Sequence, residues 1–509
     1  MAEGHANPES AAAMGQLGLG TAFVLLGQAA FVLCGYLLHF FLSRAVDPVT
    51  FGTYGVIMSV LTWTQNALES GVPWSVRKFL PTDPEATDAI LRSGLRWQMI
   101  VALTLYVLTM ILAPWFASRG LRDGSLTFHL RLALTDLLTV ALYTFYRGAL
   151  NGLRLFAAHG MSLAAYALGK LAFSVLWVSL GYSLAGALVG NILGSVVGWL
   201  AALWALQRSA AYRSGAGTAA GTRPDRRYRG RTILSFALPT VLLTLAGTFL
   251  ITVGPIGVKA LVADGLQVAH YTAAAFLAQA PMLLLTAFSL TLFPNLSGSI
   301  ASGHWSLAGT YIYTAMRYLS LVLIPGIALV MGTAPQLITM IYPAEYTASA
   351  SLLSLLMVSA GLYSTYMVFS SAILAEGRVL LALSIPCALV PVSLLATWLL
   401  TGRFGTIGAA FAAVLSTAAA VLASGGYVLR RFSVPMNWKS VARIAIASLG
   451  MFALTRLYVP GGALLAPYYL ILGALYVALL VALGGITDQE MQQWRDAFQV
   501  AKQSLGMEA

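Results

Sequence analysis

Two stretches, SLAGALVGNILGS (183–195) and GTIGAAFAAVLST (405–417), decide how this chain is built. Small residues recur every fourth position in both: Gly186, Gly190 and Gly194 in the first, Gly408, Ala412 and Ser416 in the second, 222 residues further on. That spacing lines one face of a helix and lets a second helix approach closely in lipid. The two stretches read as one feature written twice, the mark of an internal repeat. Further matches lie outward from them. Arg44, Asp47 and Tyr54 correspond to Lys259, Asp264 and Tyr271 at offsets of 215 to 217. ALNGLRLFAAHG (149–160) corresponds to ILAEGRVLLALS (373–384), with Gly152 matching Gly377.

The composition says where such a repeat resides. Of 509 residues, 59% are hydrophobic and only 9% charged, and the mean hydropathy is +0.81. A soluble globular protein carries about 25% charged residues, so most of this surface faces lipid. A soluble enzyme, a disordered chain and a nucleic-acid-binding domain are excluded, and the net charge of +12 is read instead as membrane topology. Cys34 and Cys387 lie in apolar stretches and make no disulfide framework. The N-terminus, MAEGHANPES, lacks the basic region of a signal peptide, so the first apolar stretch is expected to be a retained span.

A bilayer-crossing helix needs about 20 mostly apolar residues. Fourteen segments qualify: 19–43, 51–72, 97–116, 132–149, 155–182, 183–206, 232–258, 268–293, 315–332, 349–374, 379–400, 407–429, 442–458 and 461–483. With both termini placed in the cytoplasm, inward loops and tail hold 21 of the 29 Lys and Arg, outward loops hold seven, and Lys170 falls within a span. That bias supports the orientation. The expected fold is all-α and polytopic, with about 14 transmembrane helices in two pseudo-symmetric six-helix bundles and two extra C-terminal helices. The expected divisions are a cytoplasmic segment (1–18), a first bundle (19–206), a basic cytoplasmic linker (207–231), a second bundle (232–430), two added spans (438–484) and an amphipathic cytoplasmic tail (485–509). Six spans per half make the repeat parallel, about an axis along the membrane normal, and such transporters bind substrate between their halves.

The segment FLSRAVDPVTFGTYGVIMSVLTWTQNALESGVPWSVRKFLP (41–81) resembles the opening of Wzx-type polysaccharide and O-antigen flippases, within the multidrug/oligosaccharidyl-lipid/polysaccharide exporter superfamily. YRGALNGLRLF (146–156), SFALPTVLLTLAGTFLI (235–251) and HYTAAAFLAQAPMLLLTAFSLTLFPNLSGS (270–299) carry the resemblance onward. It implies a V-shaped pair of bundles with alternating access. It also implies export of a prenyl-pyrophosphate-linked oligosaccharide from the inner to the outer leaflet of the cytoplasmic membrane, for cell-surface polysaccharide synthesis. Where the lipid II flippase branch has an AEGA-like acidic signature, this chain reads ALESGVP (67–73). Where the multidrug-cation branch has acids inside its spans, it has little beyond Asp136 and Glu69.

Ionisable residues at membrane depth are functional candidates by default. Lys170, the deepest, either meets substrate pyrophosphate or sugar, or pairs with Asp136 inside one bundle. Arg77, Lys78, Arg147 and Arg154 lie at the inner ends of spans. They either capture the lipid headgroup, since Arg offers phosphate a bidentate fork, or serve as positive-inside anchors. Arg44 and Lys259 occupy repeat-related places near the outer face. They form a release-side pair of cations, or each pairs with its neighbour, Asp47 or Asp264. Gln65, Asn191 and other uncharged polar groups in the spans are partners for sugar hydroxyls or for other helices.

No catalytic residues, metal ligands or cofactors are expected, and Gly169-Lys170 is no Walker motif because Leu171 follows it within a span. Expected partners are the lipid-linked oligosaccharide, membrane lipids, and a polysaccharide polymerase or glycosyltransferases. Nucleic acid is not among them, and the transport unit is a monomer. The rival readings are a polysaccharide-export subunit working beside a synthase, a multidrug or cation exporter, and a membrane glycosyltransferase or polymerase. Outward loops no longer than about 15 residues argue against the last.

Overall fold

The computed structural model describes residues 8–209, 230–435 and 437–485. The expected basic linker falls mainly on 210–229 and the expected amphipathic tail on 486–509; both stretches, and residues 1–7, lie outside the described residues. Among the described residues the fold is helical without strands. The helices are α1 (Pro8–Ala45), α2 (Pro48–Ser70), α3 (Val72–Phe79), α4 (Thr87–Trp115), α5 (Thr127–Leu134), α6 (Asp136–Gly152), α7 (Phe156–Trp177) and α8 (Ser183–Arg208). Then follow α9 (Gly230–Leu261), α10 (Gly265–Leu277), α11 (Met282–Ala301), α12 (Trp305–Ile341), α13 (Ser349–Ala375), α14 (Val379–Arg431), α15 (Trp438–Thr455) and α16 (Leu465–Ala482).

Each segment expected to cross the membrane falls on one of these helices or on a broken pair. The breaks follow local chemistry. α2 ends at Gly71, and α3 restarts with Pro73 in its first turn. A further break, between α10 and α11, contains Pro281, which lacks the N–H that a helix interior needs. α14 changes direction at Gly405, whose φ of 60° suits a residue without Cβ. Gly181, with φ 95°, does the same between α7 and α8. Among the described residues nine helical stretches are long and apolar enough to cross a membrane, and two of these, 156–208 and 379–431, contain such a glycine turn. Ile111, Leu380, Leu422 and Leu470 are 68–80% exposed. Apolar exposure on that scale needs lipid around it.

The described residues fall into two compact units, one from 1–272 with 379–413, the other from 273–378 with 414–509. In the first, α7 packs on α8 and α1, α6 packs on α8, and α9 runs along α2. The α7–α8 contact is the small-residue row seen in the sequence. Gly186 abuts Trp177, Gly190 abuts Ser174, Gly194 abuts Lys170 and Gly198 abuts Tyr166. A methyl group at Gly194 would sit 2.7 Å from the Lys170 backbone. Along α2, the Trp63 indole donates to the Leu245 carbonyl (3.1 Å) and the Thr240 hydroxyl to that of Ser70 (2.8 Å). α2 also meets α10, Gly52 against Ala269 and Gly55 against Thr272.

In the second unit α12 is the centre, packed by α11, α13 and α15. The two helices outside the repeat are tied to it by Leu321, Ile444, Met451 and Tyr476 in one apolar core. Arg317 donates to Ser440 Oγ and to the Gly485 carbonyl, both at 2.9 Å.

Hydrogen bonds place the repeat more closely than composition did. After α6 the N–H groups of Leu153, Arg154 and Leu155 reach the carbonyls of Ala149, Asn151 and Leu150. After α13 those of Glu376, Gly377 and Arg378 reach Ala372, Leu374 and Ile373, the same pattern 223 residues on. Gly377 therefore corresponds to Arg154, not to Gly152 as the sequence match had it. Both adopt positive φ, 83° and 59°.

Two measurements test this packing. Gly190→Ala and Gly194→Ala each force α7 from α8 and are expected to cost about 1–3 kcal/mol, read as a lower melting temperature in detergent. Gly326→Ala meets open space and serves as the neutral control. Arg154→Gly is expected to leave the melting temperature intact, whereas Arg154→Val, β-branched at positive φ, lowers stability by about 1–3 kcal/mol.

Candidate functional site

α6 carries Asp136, Thr139, Tyr143 and Arg147 at helical spacing, so one face holds a row of polar groups. Eleven residues at 1.5 Å each make the row about 16 Å long. At one end the Asp136 carboxylate is fully buried. It accepts hydrogen bonds from Gln65 Nε2 on α2 (2.7 Å), Asn191 Nδ2 on α8 (2.7 Å) and Thr139 Oγ1 (2.5 Å). Lys170 reaches this level from α7, placed by the tight fit of Gly194 on its backbone. Among the described residues Lys170 makes no hydrogen bond and no ion pair, although its charge and that of Asp136 act on each other. The carboxylate is thus satisfied by neutral donors, and the ammonium is left for something else.

At the other end Arg147 forms an ion pair with Glu69, four residues beyond Gln65 on α2. Arg147 also lies 5.2 Å from the Tyr143 ring centroid, and Tyr143 stacks on Tyr166 of α7 at 4.9 Å. The His159 ring nitrogen lies 3.2 Å from the Arg147 carbonyl oxygen. Arg77 of α3 acts electrostatically on both Glu69 and Arg147. The Nε atoms of Arg77 and Arg147 are buried with no hydrogen-bond partner among the described residues. The Glu69 side chain is 40% exposed, so this end of the row is open. The row holds three cations, Lys170, Arg147 and Arg77, against two carboxylates, and it suits an anion with hydroxyl groups.

The other sequence candidates lie apart from it. Lys78 is exposed, 5.7 Å from the Phe79 ring. Arg154 occupies the turn after α6. Arg44 donates to the Phe40 carbonyl (3.1 Å) and lies 3.7 Å over its ring, while Asp47 caps α2 through Thr50. Lys259 pairs with Asp123 at 2.9 Å, and Asp264 caps the start of α10. Hydrogen bonds from Ser125, then from Lys259, hold the Asp123 carboxyl below its usual range. Sequence reasoning had no role for Thr139, Tyr166 or His159, and it named Glu69 only as a scarce acid. The Gln65–Glu69 spacing of four was the signal that puts that acid on the face of α2 that bears Gln65. Among the described residues no group of three His, Cys, Asp or Glu is arranged to hold a metal.

Comparison with known proteins follows the same line. The family model for polysaccharide biosynthesis proteins matches residues 17–299. No curated protein matches the chain. Among solved structures, the lipid II flippase MurJ in an inward closed conformation is similar at a TM-score of 0.70 and 13% identity, over 94% of this chain and 99% of that one. An inward-facing multidrug resistance MATE family transporter of the MOP superfamily is similar at 0.66 and 16%, over 78% and 94%. A MOP superfamily transporter from Pyrococcus furiosus is similar at 0.57 and 16%, over 83% and 95%. The family match spans more than half of the chain and contains every segment that carried the resemblance to Wzx-type flippases, and the chain belongs to the polysaccharide biosynthesis protein family, with an all-helical fold similar to those of the MurJ and MATE structures.

Proposed function

We propose that this membrane protein is a flippase that moves a prenyl-pyrophosphate-linked oligosaccharide from the inner to the outer leaflet of the cytoplasmic membrane. The observation that carries the reading is the row on α6, α7 and α2. Its cations outnumber its acids, and Lys170 is without a partner among the described residues. Pyrophosphate is the anion such a row complements. The halves 19–206 and 232–430 alternate access as a monomer, with both termini cytoplasmic. The protein is a transporter and not an enzyme, and a polymerase or glycosyltransferases work beside it. An outward-moving pyrophosphate of about two negative charges gains roughly 5 kcal/mol from 100 mV, inside negative, if no protein cation travels with it.

The test uses cells lacking the gene and oriented membrane vesicles. Lipid-linked oligosaccharide is expected to collect on the inner leaflet, shielded from an added glycan-modifying enzyme. The wild-type gene restores accessibility. Lys170→Ala is expected to lower the rate about tenfold or more, a loss of ~1.4 kcal/mol. Normal outer-leaflet levels without the gene overturn the reading, and a changed drug susceptibility instead favours the MATE-like alternative.

Asp136 answers a second question in the same assay. Asp136→Leu leaves the Gln65 and Asn191 amides unpaired, at about 1–3 kcal/mol each, and is expected to lower the melting temperature. Asp136→Asn is expected to keep the fold and most of the rate. Recovery of transport in the Lys170→Ala/Asp136→Ala double variant would show that Lys170 serves only Asp136, and would remove it from the substrate site.

A further inference from the structure

A cavity of about 480 Å³ lies in the second unit, where α12 and α15 end and α13 begins. At its wall α12 touches Thr455 at the end of α15 through Gly332; a side chain at 332 would collide with the Thr455 hydroxyl. The lining is chemically one-sided. Among the described residues that line the cavity, Arg456 is the only charged one and none is an acid. The Arg456 guanidinium lies 4.9 Å from the Phe452 ring and has no carboxylate partner among the described residues. Ser351 and Ser354 of α13 add hydroxyls. Gln336 adds an amide whose Oε1 is buried and accepts no hydrogen bond among the described residues. Leu457 and Tyr458, 81% and 68% exposed, stand at the rim.

Each feature restricts the ligand. An unpaired guanidinium beside hydroxyls selects an anion, and its fork fits phosphate. A buried carbonyl oxygen without a donor costs about 1–3 kcal/mol, and a ligand hydroxyl removes that cost. A tyrosine exposed at a helix end suits the membrane interface. The volume lies within the range of small-molecule sites. We infer that this cavity binds the headgroup of an anionic phospholipid that carries free hydroxyls, a phosphoglycerol in its simplest form. The site is separate from the α6 row and does not depend on the transported substrate.

The experiment takes the full chain in detergent and measures lipid retention by native mass spectrometry, with melting temperature as a parallel readout. The probes are phosphatidylglycerol, phosphatidylmethanol, which has the charge without the hydroxyls, and phosphatidylcholine. Wild type is expected to hold phosphatidylglycerol at least fivefold more tightly than either of the others. Arg456→Gln is expected to bring phosphatidylglycerol down to the level of phosphatidylcholine. Gln336→Leu is expected to remove the preference for phosphatidylglycerol over phosphatidylmethanol and to keep the preference for charge. Ser351→Trp, which fills the cavity from an exposed position, removes both and covers the case in which Arg456→Gln does not fold. Soluble glycerol 3-phosphate separates two sources: displacement of the lipid supports a site that reads the headgroup alone, and lack of displacement supports one that also needs the acyl chains. Equal retention of the three lipids by wild type, or a preference unchanged in all three variants, overturns the assignment.

Discussion

A carboxylate at membrane depth has to be hydrogen-bonded, and Asp136 meets that demand with neutral donors from three helices. Gln65 comes from α2, Asn191 from α8 and Thr139 from its own α6. In lipid an unsatisfied polar group costs several kcal/mol, so the three helices are held in one register around this atom. The register has a consequence for Lys170. Had Asp136 taken the ammonium as its partner, the two charges would have formed a closed pair. With its oxygens occupied by amides and a hydroxyl, Asp136 acts on Lys170 only through space.

The same logic explains the glycine row. α7 brings Lys170 to the level of Asp136 only if α8, which supplies Asn191, lies close against it. Gly194 abuts the Lys170 backbone, and Gly190 and Gly198 continue the contact on either side. A bulkier residue at 194 would separate the amide donor from the acid and shift the lysine together. The small residues are therefore part of the polar site, although none of them offers a polar side chain.

Much of this was legible in the sequence because it is periodic. Apolar runs separated by loops gave the spans, and glycines at every fourth position gave the α7–α8 contact. What could not be read was pairing over distance. Glu69 and Arg147 are 78 residues apart, and Asp123 and Lys259 are 136 apart. No local pattern relates such partners, and a nearer acid, Asp264, was the obvious expectation for Lys259. The turn after α6 misled differently. Glycine is the usual occupant of positive φ, so Gly152 was matched to Gly377, yet the hydrogen bonds give that place to Arg154.

Placed on the 223-residue register, the repeat shows what it keeps and what it drops. Tyr143 corresponds to Tyr366, while Asp136, Arg147 and Lys170 correspond to Ser359, Ser370 and Ser393. The turn geometry is retained and the buried charges are not. The second half has its own ion cluster, but Glu376 binds Arg431 and Arg378 at the ends of α13 and α14 rather than along a helix face. Symmetry in this chain thus belongs to backbone turns and helix contacts, which every copy of the repeat needs in order to fold. Charge at membrane depth is costly wherever it occurs, and at these three positions the chain bears that cost in the first half alone.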